Sequence, residues 1–112
     1  MTFLERAEPK TAKFSGDLSS SFETSGVGCV DFNRGMISAT WLGNDGFSGT
    51  MEIEISQDNI NWNSLGGKIT LSNAADCQSW ILTEISYRFV RLKYTQDTAT
   101  TGTVAIVVDL IG

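Results

Sequence analysis

Residues 48–62, S-G-T-M-E-I-E-I-S-Q-D-N-I-N-W, constrain this chain more than any other stretch. Met51, Ile53 and Ile55 alternate with Glu52 and Glu54, so in an extended backbone the apolar trio lies on one face and the carboxylates on the other. One face is therefore core. Asp58 and Asn59 follow, and their side chains bond to nearby backbone and tolerate unusual φ/ψ, as a turn requires. Ile60 and Trp62 then resume the alternation, so the segment is expected to be a β-hairpin whose tryptophan closes over the core. That motif specifies fold rather than chemistry.

A chain of 112 residues makes one domain and can bury about two-thirds of the surface it exposes when unfolded. Hydrophobic residues at 41%, charged residues at 19% and eleven glycines describe a folded, turn-rich chain of the all-β class. The net charge is −5 and the eight basic residues are thinly spread, so nucleic acid is not an expected partner. No run approaches the ~20 apolar residues that a membrane helix needs. The start, M-T-F-L-E-R-A-E-P-K, carries acids and reads as neither secretory signal nor anchor, so synthesis in a cytoplasm is expected. There Cys29 and Cys77 read as free thiols, Cys29 the less accessible because it lies in an apolar strand.

In chain order, residues 1–26 read as an N-terminal arm and residues 27–112 as the β domain. Thr2 could cap one helical turn over residues 2–8, which Pro9 ends. The serine- and glycine-rich run at 15–26 reads either as a leader or first edge strand, or as an arm in which Phe3, Phe14 and Phe22 dock on a neighbouring subunit. Strand signals then become dense: 27–32 and 36–42 as one hairpin around N-R-G, a G-N-D-G turn at 43–46, the 48–62 hairpin, a turn at S-L-G-G, short strands at 68–72 and 80–83, and longer ones at 87–95 and 102–111. About eight antiparallel strands without a helix fit a single β-sandwich or jelly roll. Its expected core includes Trp41, Ile53, Ile55, Trp62, Val90 and Leu92. Opposite Val90, Leu92 and Tyr94 lie Arg91 and Lys93, which either pair across strands with Glu52 and Glu54 or belong to a separate solvated face.

The chain contains no histidine, which excludes Ser-His and Cys-His nucleophiles, His-ligated zinc and histidine acid/base chemistry. Glu52 and Glu54 could be a paired-acid site, but carboxylates two apart on a strand are usually solvated surface. Asn44-Asp45-Gly46 and Asp58-Asn59 offer oxygen ligands for calcium, yet neither has EF-hand spacing and turn chemistry accounts for both. No catalytic residue, metal or cofactor is implied. Trp41, Trp62, Trp80 and Tyr87 make either a sugar-stacking platform or core, and their placement within strand patterns favours core.

S-Q-D-N-I-N-W (56–62), Y-R-F-V-R-L (87–92) and G-T-V-A-I (102–106) resemble the S-x-D-x-x-x-W and R-Y-V-R-I/L signatures of discoidin-like, galactose-binding-like β-sandwiches. They are also similar to short accessory proteins from the structural-gene clusters of tailed bacteriophages. The resemblance runs over residues 36–111. It implies a non-enzymatic virion protein, made in the host bacterial cytoplasm, that decorates or stabilises a capsid or forms part of a head or tail appendage. Its implied partners are a capsid or other virion protein and further copies of itself. A carbohydrate-binding module is the alternative, although the chain is shorter than a full discoidin domain and lacks ligand-binding spikes.

Overall fold

The computed structural model describes residues 8–44, 47–71 and 74–112. Nine strands occupy them: β1 (Lys10–Asp17), β2 (Phe22–Glu23), β3 (Val27–Gly28), β4 (Arg34–Gly43), β5 (Gly49–Ser56), β6 (Asn63–Leu71), β7 (Ala75–Leu82), β8 (Phe89–Gln96) and β9 (Gly102–Ile111). All pairings are antiparallel. A first sheet has the order β1-β9-β4-β7 and a second the order β2-β8-β5-β6, with β3 also on β8. This is the all-β sandwich that the period-two pattern predicts.

The core lies between the sheets because every long strand alternates. Ile37, Ala39 and Trp41 of β4 and Val104, Ile106, Val108 and Leu110 of β9 point inward from the first sheet, meeting Met51 and Ile53 of β5 and Val90, Leu92 and Tyr94 of β8. Each large apolar side chain buried here contributes about 1.5 to 3 kcal/mol. Of the expected core residues, Ile53, Val90 and Leu92 are fully buried and Trp41 is buried, while Ile55 is partly buried against the same cluster. Cys29 is buried, Cys77 is exposed, and both are free.

A boundary at residue 26 does not describe this architecture. β1 pairs with β9 over eight residues, from Lys10 opposite Leu110 to Asp17 opposite Thr103, and β2 and β3 join β8. The inward positions of β1 are only Ala12, Phe14 and Gly16, too small a signal for the period to stand out. Phe14 and Phe22 pack against the chain's own core, Phe22 with its ring 5.5 Å from that of Tyr94. They therefore do not stand out from the domain as free docking points. Phe3 and the expected helical turn lie outside the described residues.

Leu18 carries the chain from the first sheet to the second. Its N–H donates to Gly102 of β9 at 3.0 Å and its carbonyl accepts the Tyr94 hydroxyl of β8 at 2.8 Å. Three local expectations are also revised. The 27–32 segment is a strand only at Val27–Gly28, where it pairs with β8 rather than with 36–42, because the Phe32 N–H turns back to the Cys29 carbonyl. Gly66 and Gly67 sit inside β6 with positive φ, where the β5–β6 register shifts between Met51 and Ile53: the two glycines make a bulge, not a hairpin turn. β7 begins at Ala75, several residues before the expected strand.

Candidate functional site

The outer face of the second sheet carries a cross-strand group of charged side chains. On β5, Glu52 and Glu54 point away from the core, and the register sets Glu52 opposite Lys93 and Glu54 opposite Arg91 of β8. Arg91 donates its Nε–H to Glu54 Oε1 at 2.8 Å and places Nη2 2.7 Å from the same oxygen. The partner of Glu52 is Lys68 at 3.7 Å, brought across by the bulge in β6. Glu23 of β2 lies opposite Lys93, so acids and bases alternate over four strands. Cross-strand pairing is thus the arrangement adopted at Glu54 and Arg91, and both glutamates are almost fully covered, at 6% and 8% exposure.

The turn after β5 closes over Arg91. The Ser56 hydroxyl donates to Asp58 Oδ1 at 2.9 Å and accepts the Asn59 N–H at 2.9 Å, while Asp58 accepts the N–H groups of Ile60 (2.9 Å) and Asn61 (2.8 Å). Those donors, the Asn61 N–H foremost, hold the Asp58 carboxyl far below the usual carboxylate range. Asn59 takes a left-handed conformation at φ 62°, which Asn tolerates. The turn thereby folds back until Trp62 lies over the sheet, with the Arg91 guanidinium carbon 4.2 Å from its ring centre. Gly26 makes room: a Cβ there would strike the Asn59 side-chain oxygen and the Trp62 ring.

Trp62 is consequently half-buried on an outer face, a correction to its expected place in the core. The period-two alternation ends at the turn, which rotates the backbone, and Ile60 is left 77% exposed. Trp41 and Trp80 are on the opposite sheet and face inward, so the tryptophans do not form one sugar-stacking platform. Glu54 is 8% exposed and its Oε1 is engaged by Arg91, which itself lies against the Trp62 ring. Among the described residues, no cluster of three or more potential metal ligands occurs, and no helix is long and apolar enough to cross a membrane. Asp45 and Gly46 of the N-D-G turn fall outside the described residues. Sequence reasoning missed Lys68 and Gly26; a lysine after two glycines gave no sign that a bulge would aim it at Glu52.

A second feature is a groove of about 700 Å³ across one end of the first sheet's outer face, lined by Pro9, Met36, Ile81 and Ile111 and running over Gly35. Lys10, Arg34 and Asp109 are its charged lining residues.

Among solved structures, the chain is similar over its whole length to the PBSX exported protein XepA, with a TM-score of 0.63 at 15% identity, covering 40% of that protein. It matches the SPBc2 prophage-derived protein YomS with a TM-score of 0.61 at 11% identity, covering 98% of this chain and all of the other. The chain shares the fold of a prophage-derived protein. The Tobacco streak virus coat protein is also similar, with a TM-score of 0.52 at 8% identity over 91% of this chain and 86% of that one. The chain thus spans less than half of XepA but the full length of YomS, and at these identities the likeness is one of fold. No protein-family model and no curated protein sequence matches.

Proposed function

We propose that this chain is a non-enzymatic structural protein of a phage particle, decorating or stabilising a capsid or forming part of a head or tail appendage through self-association and contact with a shell protein. The observation that carries this reading is the end-to-end match of fold and length with a prophage-derived protein. A viral coat protein with a related sandwich adds support, because the same architecture serves a shell there. The chain's own chemistry agrees with a scaffold: its polar cluster is internally neutralised by Glu54–Arg91 and Glu52–Lys68. Such a face specifies a surface rather than a reaction.

The test is location. Particles from producing cells, purified on a density gradient, should carry the chain at constant stoichiometry, and antibody labelling in electron micrographs should mark one structural position. A chain that stays at the top of the gradient while particles sediment would remove the reading. Binding to a glycan array by the isolated protein, with no particle association, would favour the carbohydrate-binding alternative instead.

A further inference from the structure

A sandwich has four sheet edges, and three of these are protected. β1 begins after Pro9 and presents Lys10, Lys13 and Asp17. β6 is distorted by the Gly66–Gly67 bulge and carries Lys68. The edge beside β8 is covered by two separate two-residue strands, β2 and β3, interrupted at Thr24, which completes the ladder with its hydroxyl by accepting the Leu92 N–H at 3.1 Å. Lysine, proline, bulges and short strands are the devices that keep an edge from pairing with another chain.

β7 has none of them. It is eight residues long, A-D-C-Q-S-W-I-L, pairs with β4 in unbroken register from Leu82 opposite Gly35 to Ala75 opposite Leu42, and bears one charge, at Asp76. Two contacts identify which backbone groups face outward. The Cys77 N–H donates to the Asp76 carboxylate at 2.8 Å and the Ser79 carbonyl accepts the Gln78 side-chain amide at 3.3 Å. Residues whose backbone groups meet solvent-side chains rather than β4 recur every second position, so 77, 79 and 81 present the open edge. Both contacts are made by side chains of β7 itself, and the backbone of another strand can take their place at Cys77 and Ser79.

We propose that β7 is the self-association edge, pairing antiparallel with β7 of a second copy about a two-fold axis at Ser79. This deepens the self-association included in the proposed function and rests on that part of it alone, not on a location in a particle. The register is set by chemistry on both faces. Centred on Ser79, it places Cys77 beside Ile81 of the other copy on the outer face, and on the inner side Gln78 beside Trp80 and Asp76 beside Leu82. No like charges meet, and about six backbone hydrogen bonds form between the facing outward residues. Ile81, 69% exposed in the single chain, gains an apolar cover continuous with Met36, its neighbour on β4. Two four-stranded sheets become one of eight, and the shared strand is its own complement, which an isologous contact requires.

The test uses the full chain in solution. Light scattering at rising protein concentration should give twice the chain mass for the unaltered protein. Ser79→Pro removes an outward N–H without touching the β4 ladder, and Ser79→Lys adds an edge charge; both should weaken dimerisation at least tenfold while circular dichroism retains the sheet signal. Should the proline variant fail to fold, the lysine variant carries the result. Thr70→Lys on β6 is the control and should leave the dimer intact. A monomer at every concentration, or a dimer that survives Ser79→Lys, would overturn the proposal. Because these measurements use purified protein and the location test uses particles, each reading can fail without the other.

Discussion

The guanidinium carbon of Arg91 lies 4.2 Å from the centre of the Trp62 ring. A partly exposed cation–π contact of this kind contributes about 0.5 to 2 kcal/mol, well below the value of a core aromatic. Trp62→Ala should therefore cost about 1 to 2 kcal/mol, whereas Trp41→Ala, which empties the sandwich interior, should cost about 3 to 5 kcal/mol. Urea denaturation of both variants checks this, and equal losses would return Trp62 to the core.

Asp58 supplies an acid-side prediction. Its folded pKa lies below the ordinary 3.8, so its stabilisation is present above pH 3.8 and fades as pH falls toward the lower folded value. Asp58→Ala should be less stable than the parent protein at neutral pH, and the gap should narrow progressively below pH 3.8. Denaturant midpoints along a pH series measure it; a constant gap would mean that the turn does not depend on the carboxylate.

On the alkaline side, burial pushes the Cys29 thiol up to about 11 from 9.0, against a smaller opposing pull from Lys10, and the Tyr87 hydroxyl up to about 12 from 10.0. Both groups stay neutral in the folded chain at pH values where the unfolded chain ionises them. Stability should accordingly be complete below pH 9 and decline between pH 9 and 12. Cys29→Ala should flatten the first part of that decline, and an unchanged curve would show that the thiol plays no part.

Burial without a partner gives a different outcome at Tyr87. Its hydroxyl has no hydrogen-bond partner among the described residues, and a buried polar group left unmatched costs about 1 to 3 kcal/mol. Tyr87→Phe is expected to raise stability by about 1 kcal/mol, read as a higher urea midpoint with unchanged slope. A loss instead would point to a bound water at the hydroxyl.

Gly35 permits close approach of two strands. A Cβ at this position would collide with the Asp109 backbone carbonyl and crowd Leu110, and backbone cannot yield as a side chain can. Gly35→Ala should destabilise the first sheet by about 2 to 3 kcal/mol or more. A neutral result would show that β4 and β9 separate easily at this end.

Alternation made the long strands legible: β5, β8 and β9 repeat large apolar residues at every second position, β4 sets Ile37 and Trp41 on either side of Ala39, and the antiparallel sandwich follows. β1 escaped because its inward residues include alanine and glycine, and its partner β9 lies at the other end of the chain. The bulge at Gly66–Gly67 escaped because two glycines signal a turn equally well. At the polar face, Glu54 and Arg91 could be matched by period alone, but the position of Trp62 could not. It depends on the turn's hydrogen bonds and on a gap at Gly26, neither of which has a hydrophobic period.

The first sheet's order has a consequence for synthesis. β9 lies between β1 and β4, so on the ribosome those two strands emerge long before the strand that joins them. Until β9 leaves the exit tunnel, β1 has no ladder and β4 presents an uncovered edge, a situation in which chains are prone to associate wrongly. Closure of that sheet is thus delayed until residues 102–111 are free of the tunnel, and folding should be governed by long-range pairing rather than by local hairpins.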